Sequence, residues 1–195
     1  MSDRRNESDT PHKVVTLGQG FSPKECGRVI ELANQAGWRT ASVGARNEGG
    51  DLVEGVIRTG DATFLDPADH DCRWVWDKLH ALILQANRYR YGFELEAIET
   101  VQVAKYSAAV NAHYTWHVDI GADRFANRKL GITVQLSDSR HYTGGNLEFA
   151  VPNIVADRHI GSVTIFPSWM VHRVSPVTQG TRYSIASWFS GPRFR

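Results

Sequence analysis

After Gly92 the sequence breaks into seven short segments rich in β-branched and aromatic residues, so half of the chain must satisfy its backbone by pairing strand with strand. The segments are Ala97–Tyr106, Tyr114–Val118, Leu130–Ser137, Asn146–Val151, Ser162–Pro167, Val171–Val174 and Thr181–Ser190, with turn residues between them. Ahead of them the pattern is helical. Lys13–Leu17 reads as a short strand. Ser22-Pro23-Lys24-Glu25 then forms a capping box with proline at the first helical position. The helix it opens puts Cys26, Val29, Ile30 and Ala33 on one face and stops at Gly37. Trp38–Val43 and Val56–Leu65 read as strands. The glycine-rich, charged stretch Ala45–Gly55 between them suits either a lid or a plain connector. A second amphipathic helix is predicted over Asp71–Tyr91, with Trp74, Val75, Leu79, Leu82, Ile83 and Ala86 facing inward.

Two helices followed by a run of strands do not make a βαβ pattern. They predict an α+β chain whose C-terminal half is a β-sandwich or jelly roll, with a mouth between two sheets. Residues 1–12 are expected to be a flexible tail and residues 13–195 a single domain. Lys and Arg number 22 against 21 Asp and Glu, so no strong field draws the chain to nucleic acid or membrane. The longest aliphatic run, Ala81–Leu84, is far short of a membrane span, and Met1–Thr10 lacks the apolar stretch of a secretory signal. Two cysteines, Cys26 and Cys72, make no disulfide framework, and a cytoplasmic setting is expected.

Among eight histidines, one stands two residues before a carboxylate: His117-Val118-Asp119. In a strand, residues two apart share a face, so the imidazole and the carboxylate converge on one point. His172, in another strand-like segment, is the best candidate for a third ligand. Two histidines and one carboxylate with open positions are the ligand set of non-haem Fe(II) oxygenases. Chance alone yields roughly one such His-x-acid pair in a chain of this composition, so its neighbours carry the weight. In the last strand Arg182, Ser184, Ala186 and Trp188 share a face, and a guanidinium beside a hydroxyl suits a carboxylate ligand. On Leu130–Ser137, residues Gly131, Thr133, Gln135 and Ser137 are expected to face the pocket, and Leu130, Ile132, Val134 and Leu136 the core.

His117-Val118-Asp119, Gly144-Gly145-Asn146-Leu147-Glu148-Phe149, Phe166-Pro167, and His172 with Arg182 resemble the 2-oxoglutarate- and Fe(II)-dependent dioxygenases, in particular the prolyl hydroxylase-like branch. Phe21–Cys26 and Val56-Ile57-Arg58-Thr59 extend the resemblance over roughly residues 14–190. It implies a double-stranded β-helix (jelly roll) with flanking N-terminal helices. His117, Asp119 and His172 would hold Fe(II) as the catalytic centre. Arg182 and Tyr106 would bind the far carboxylate of 2-oxoglutarate, with Ser184 and Gln135 as further candidates; some relatives carry tyrosine where Gln135 stands. The implied reaction hydroxylates an unactivated C–H bond and releases succinate and CO₂. The carboxylate of Asp119 favours hydroxylation over halogenation, and a role for ascorbate stays open.

Trp116, Arg124, His141, Tyr142 and Trp169 are candidate substrate residues at the pocket mouth. The substrate itself stays open between a proline-type or peptidyl residue of a protein and a free amino acid or other small metabolite. A cupin-like metal enzyme that needs no 2-oxoglutarate, and a non-catalytic binding jelly roll, are the competing readings. The sequence leaves the oligomeric state open.

Overall fold

The computed structural model describes residues 14–41, 43–46, 52–151 and 153–193, and for residues 43–46, 52–56, 123 and 124 the backbone alone. The expected tail, residues 1–12, lies outside the described residues. Strand β1 (Val15–Leu17) leads into helix α1 (Pro23–Ala36) through the capping box. Ser22 Oγ accepts from the Glu25 N–H at 3.3 Å while the Glu25 carboxylate accepts from the Ser22 N–H at 2.7 Å. Gly37 ends the helix at φ 81°. Cys26, Val29, Leu32 and Ala33 are buried, and Ile30 is only half-buried, so the buried face is rotated slightly from the expected one. Burial pushes the Cys26 thiol up to about 11, which leaves it inert at neutral pH.

Where the sequence suggested one strand over Trp38–Val43, the chain makes two, β2 (Arg39–Thr40) and β3 (Val43–Arg46), which join different sheets. Val56–Leu65 likewise divides into β4 (Leu52–Thr59) and β5 (Asp61–Leu65) at Gly60. Gly60 has φ 148°, and an added Cβ would stand 3.0 Å from the Lys105 carbonyl, so the crossing between sheets needs glycine. Strands thus run into both ends of the expected Ala45–Gly55 loop; only 47–51 remain between them, outside the described residues. Helix α2 (His70–Ala86) is followed by a π turn over Asn87–Tyr91, which Gly92 closes in the left-handed conformation. Val75, Leu79 and Ile83 are fully buried, each contributing about 1.5–3 kcal/mol of hydrophobic stabilisation. No helix among the described residues is long and apolar enough to cross a membrane.

The remaining strands are β6 (Ala97–Ser107), β7 (His113–His117), β8 (Arg128–Gln135), β9 (Tyr142–Gly144), β10 (Leu147–Phe149), β11 (Ile154–Val155), β12 (Val163–Pro167), β13 (His172–Val174) and β14 (Val177–Ser190). One antiparallel sheet runs β1-β12-β8-β14-β6-β5-β2, with β9 pairing the start of β14; the other runs β11-β10-β13-β7-β4-β3. Alternation along the strands decides what each face does. Leu130, Ile132 and Val134 of β8, with Ile185 and Phe189 of β14, pack with α1 and α2 in the main core. Gly131 and Thr133 of β8, and Arg182, Ser184, Ala186 and Trp188 of β14, line a cavity shared with the second sheet. The expected α+β jelly roll is thus formed, with helices on the outer face of the larger sheet.

Candidate active site

Histidines 55 positions apart become neighbours through one rung of the β7–β13 ladder, where His172 pairs with His117 and the ring centroids stand 4.2 Å apart. Asp119 lies two residues beyond the end of β7, so strand alternation alone does not aim its carboxylate. Its position is fixed by other means. The backbone N–H groups of Asp119 and Ile120 both donate to the Ser168 carbonyl, at 2.9 and 3.1 Å, and Arg128 Nη1 donates to the Asp119 carbonyl at 3.2 Å. The carboxylate so held is 3.7 Å from His117 Nε2 and 3.5 Å from His172 Nε2. One ligand atom from each of the three residues lies within 4.8 Å of the others.

The hydrogen bonds of the two rings fix which nitrogen of each faces Asp119. His117 Nδ1 is 2.7 Å from the Thr115 carbonyl, and His172 Nδ1 is 2.8 Å from the Met170 carbonyl. A carbonyl only accepts, so both Nδ1 atoms carry a hydrogen and the Nε2 atoms are the ones that face Asp119. Burial, reinforced by the charge of His172, pushes His117 down to about 4, so it is neutral at neutral pH. Two imidazole nitrogens and a carboxylate converging on one point fit a divalent cation with nitrogen and oxygen preference.

This neutral His117 has a measurable consequence. The unfolded imidazole titrates near 6.5 and the folded one near 4, so between these values the unfolded chain binds more protons. Metal-free protein is therefore expected to lose stability as pH falls from about 6.5 towards 4. Melting temperature against pH checks this: the slope should flatten in His117→Leu, and equal slopes would refute it.

Across the cavity Arg182 stands on β14 opposite Tyr106 of β6, its guanidinium 5.7 Å from that ring. It is buried, with 4% of its surface exposed. Nε donates to Gln135 Oε1 at 3.0 Å and Nη1 to Ser184 Oγ at 3.1 Å. Among the described residues no carboxylate pairs with it, and burial depresses its pKa. A buried cation held only by neutral groups fits an anionic ligand. Tyr106, Ser184 and Gln135 are thus gathered around Arg182.

The five candidate substrate residues are not gathered. Trp116 is 43% exposed and lies under the Arg173 guanidinium, outside the cavity. His141 is exposed on the turn before β9. Trp169 packs edge-on against Phe93 at 5.6 Å. The Arg124 side chain lies outside the described residues. Tyr142 is buried beside Arg182, at the far end from the mouth, because β9 pairs with Val177–Gly180 just before Arg182.

Sequence reasoning passed over Arg58, Gln102 and Tyr114, which line the cavity near the histidines. Tyr114 stacks on His117 with centroids 3.5 Å apart and 11° between planes. Three residues apart, the two should face opposite ways. A bulge in β7, where three steps from Tyr114 to His117 oppose two from Val174 to His172, puts them on one side. Arg58 reaches the Gln102 amide oxygen, its guanidinium 5.2 Å from the Tyr114 ring.

Residues 101–190 match the model of the 2OG-Fe(II) oxygenase superfamily. A PKHD-type hydroxylase of Synechococcus sp. (strain CC9605) is 34% identical over 101 residues, which are 47% of this chain and 41% of that protein. The chain spans about half or less of the length of the first curated relatives it matches, 41%, 53% and 35%. Among solved structures, a Pseudomonas putida prolyl-4-hydroxylase superposes with a TM-score of 0.71 at 19% identity, covering 93% of this chain and 94% of that one. A prolyl hydroxylase from Trichoplax adhaerens, in complex with a peptide fragment of the hypoxia inducible factor oxygen degradation domain, gives 0.70 at 16% identity, covering 91% and 83%. These structures share the double-stranded β-helix with this chain.

Proposed function

We propose, from the match of residues 101–190 to the 2OG-Fe(II) oxygenase superfamily and from the site, an Fe(II)- and 2-oxoglutarate-dependent hydroxylase that acts on a proline-type or peptidyl substrate. The observation that carries this reading is the facing of two opposite charge preferences across one cavity: a cluster of two imidazole nitrogens and a carboxylate at His117, Asp119 and His172, and a buried guanidinium at Arg182. His117 and His172 through Nε2, and Asp119 through its carboxylate, would hold the iron. Arg182 would hold the far carboxylate of 2-oxoglutarate, with Tyr106, Ser184 and Gln135 around it. Bound together, iron and keto acid supply the oxidising power: one oxygen atom of O₂ enters a C–H bond, and the other leaves in succinate as CO₂ is released.

The chain's own part is placement. The carbonyls of Thr115 and Met170 keep each imidazole in the tautomer that ligates. Arg128 and the Ser168 carbonyl keep the Asp119 loop from drifting. Tyr114, Phe149 and Phe166 pack around the histidines and limit water at the reacting centre. A peptidyl substrate is favoured by the form of the entrance. Arg58, Gln102, Tyr114, Asp119 and Trp188 line both the inner cavity and an open surface groove, whose rim includes Phe64, 57% exposed, and Val118, 40% exposed. An open groove suits an extended chain better than a small metabolite, which is better served by an enclosed site.

Anaerobic addition of Fe(II) and 2-oxoglutarate to the purified protein is expected to produce a weak visible charge-transfer band. Folded, metal-loaded protein without that band would overturn the reading. A succinate-release screen over proline-containing peptides and free amino acids then separates the two substrate classes.

A further inference from the structure

The group of side chains around Arg182 holds one hydrogen too many. Arg182 Nε can only donate, so the Gln135 oxygen that it meets at 3.0 Å is the acceptor, and the orientation of the Gln135 amide is fixed. Both hydrogens of Gln135 Nε2 are then committed, to the Ser137 carbonyl at 2.9 Å and to the Tyr142 hydroxyl at 3.0 Å. Arg158 Nε also donates to that hydroxyl, at 3.4 Å, and its guanidinium lies 4.7 Å from the centre of the Tyr142 ring. Tyr142 Oη thus accepts from both, and the Arg182 guanidinium bears on the same oxygen. Its own hydrogen has no acceptor among the described residues, although the residue is only 4% exposed. Arg158, like Arg182, pairs with no carboxylate among the described residues. A buried hydroxyl donor, flanked by two guanidinium groups that lack counter-ions, is satisfied by a carboxylate oxygen.

The backbone is built to hold this arrangement. Gly144 and Gly145 have φ of 77° and 60°. A Cβ on Gly145 would stand 3.0 Å from Arg182 Cδ and 3.4 Å from Tyr142 Cε2. The glycine pair therefore lets the Tyr142 ring and the Arg182 side chain close on each other across β9 and β14.

We propose that Tyr142, backed by Arg158, is a binding residue for the far carboxylate of the keto-acid cosubstrate. It supplies a phenol donor from β9, with Gln135 as the link that orients it. The proposal rests on the reading of the site as a 2-oxoglutarate site, and its test separates the two.

Full-length protein loaded anaerobically with Mn(II) is titrated by calorimetry with 2-oxoglutarate and, separately, with pyruvate, which has the keto acid but no far carboxylate. Tyr142→Phe is expected to weaken 2-oxoglutarate by about tenfold or more and to leave the weak binding of pyruvate unchanged. Equal 2-oxoglutarate affinity in wild type and variant overturns the role of Tyr142 and leaves the wider reading standing. Equal weakening of both ligands also overturns it, since the hydroxyl would then act on the site as a whole. No 2-oxoglutarate binding by wild type overturns both. Should Tyr142→Phe fail to fold, Arg158→Met carries the test from the half-buried side of the ring. It is expected to weaken 2-oxoglutarate several-fold and spare pyruvate, and unchanged 2-oxoglutarate affinity counts against the proposal.

Discussion

Asp119→Ala is expected to abolish divalent-metal binding while leaving the metal-free protein as stable as wild type or more so. The two effects have one cause. In the metal-free fold the carboxylate sits 3.5 and 3.7 Å from the Nε2 atoms of His172 and His117, and burial keeps His117 neutral, with a lone pair toward the carboxylate. The carboxylate and the neutral His117 nitrogen oppose one another until a cation lies between them, so removing the carboxylate relieves the metal-free cluster. The same change removes the only negative charge of the ligand set. Loss of an outer-shell partner typically lowers metal affinity about 10–100-fold, and loss of a ligand should exceed that. Calorimetric titration with Mn(II), alongside melting curves without metal, reads both halves. A structural ion pair between Asp119 and protonated histidine predicts the reverse: a lower melting temperature, and metal binding no weaker than in wild type.

What could be read in advance was whatever depends on period-two alternation. The faces of β8 and β14 follow from which residues are apolar: Arg182 and Ser184 fall on the cavity side as alternation requires, and Gln135 meets Arg182 beside it. His117 and His172 were also accessible as residue types, although only pairing in space makes them rung partners. The misreadings lie where alternation is interrupted or where a contact is long-range. Tyr114 was hidden by the β7 bulge, which no local pattern in His113–His117 announces. Gly60 divides what looks like one strand, because its φ of 148° turns the chain from one sheet to the other. Tyr142 looked like a mouth residue since β9 is three residues long and ends in glycine. Its partner strand begins 35 positions later at Val177, and that pairing alone carries it to Arg182. Asp119 was placed by hydrogen bonds to Ser168 and Arg128, not by the strand geometry that first suggested it.

Arg182→Met is expected to lower 2-oxoglutarate affinity by at least about a hundredfold, with little change in stability or in the affinity for metal alone. A hydrogen bond to a charged group contributes about 1.5–3 kcal/mol, so losing the two that a guanidinium makes to a carboxylate costs at least about 3 kcal/mol. Each 1.4 kcal/mol is tenfold in affinity. Stability should respond differently. Among the described residues Arg182 is buried without a carboxylate partner, and its desolvation is offset by Gln135 Oε1, Ser184 Oγ, the Tyr142 hydroxyl and the Tyr106 ring. Replacing a poorly compensated buried charge with an apolar side chain of similar length is neutral or stabilising in many proteins. Methionine also fills most of the space, so the cavity cost of alanine is avoided. The contrast between the two measurements is the test. A structural Arg182 predicts a fall in melting temperature and unchanged keto-acid binding. A site evolved to hold a dicarboxylate predicts that the ligand, and not the fold, loses the energy. Added 2-oxoglutarate should therefore raise the melting temperature of metal-loaded wild type and fail to raise that of the variant at the same concentration.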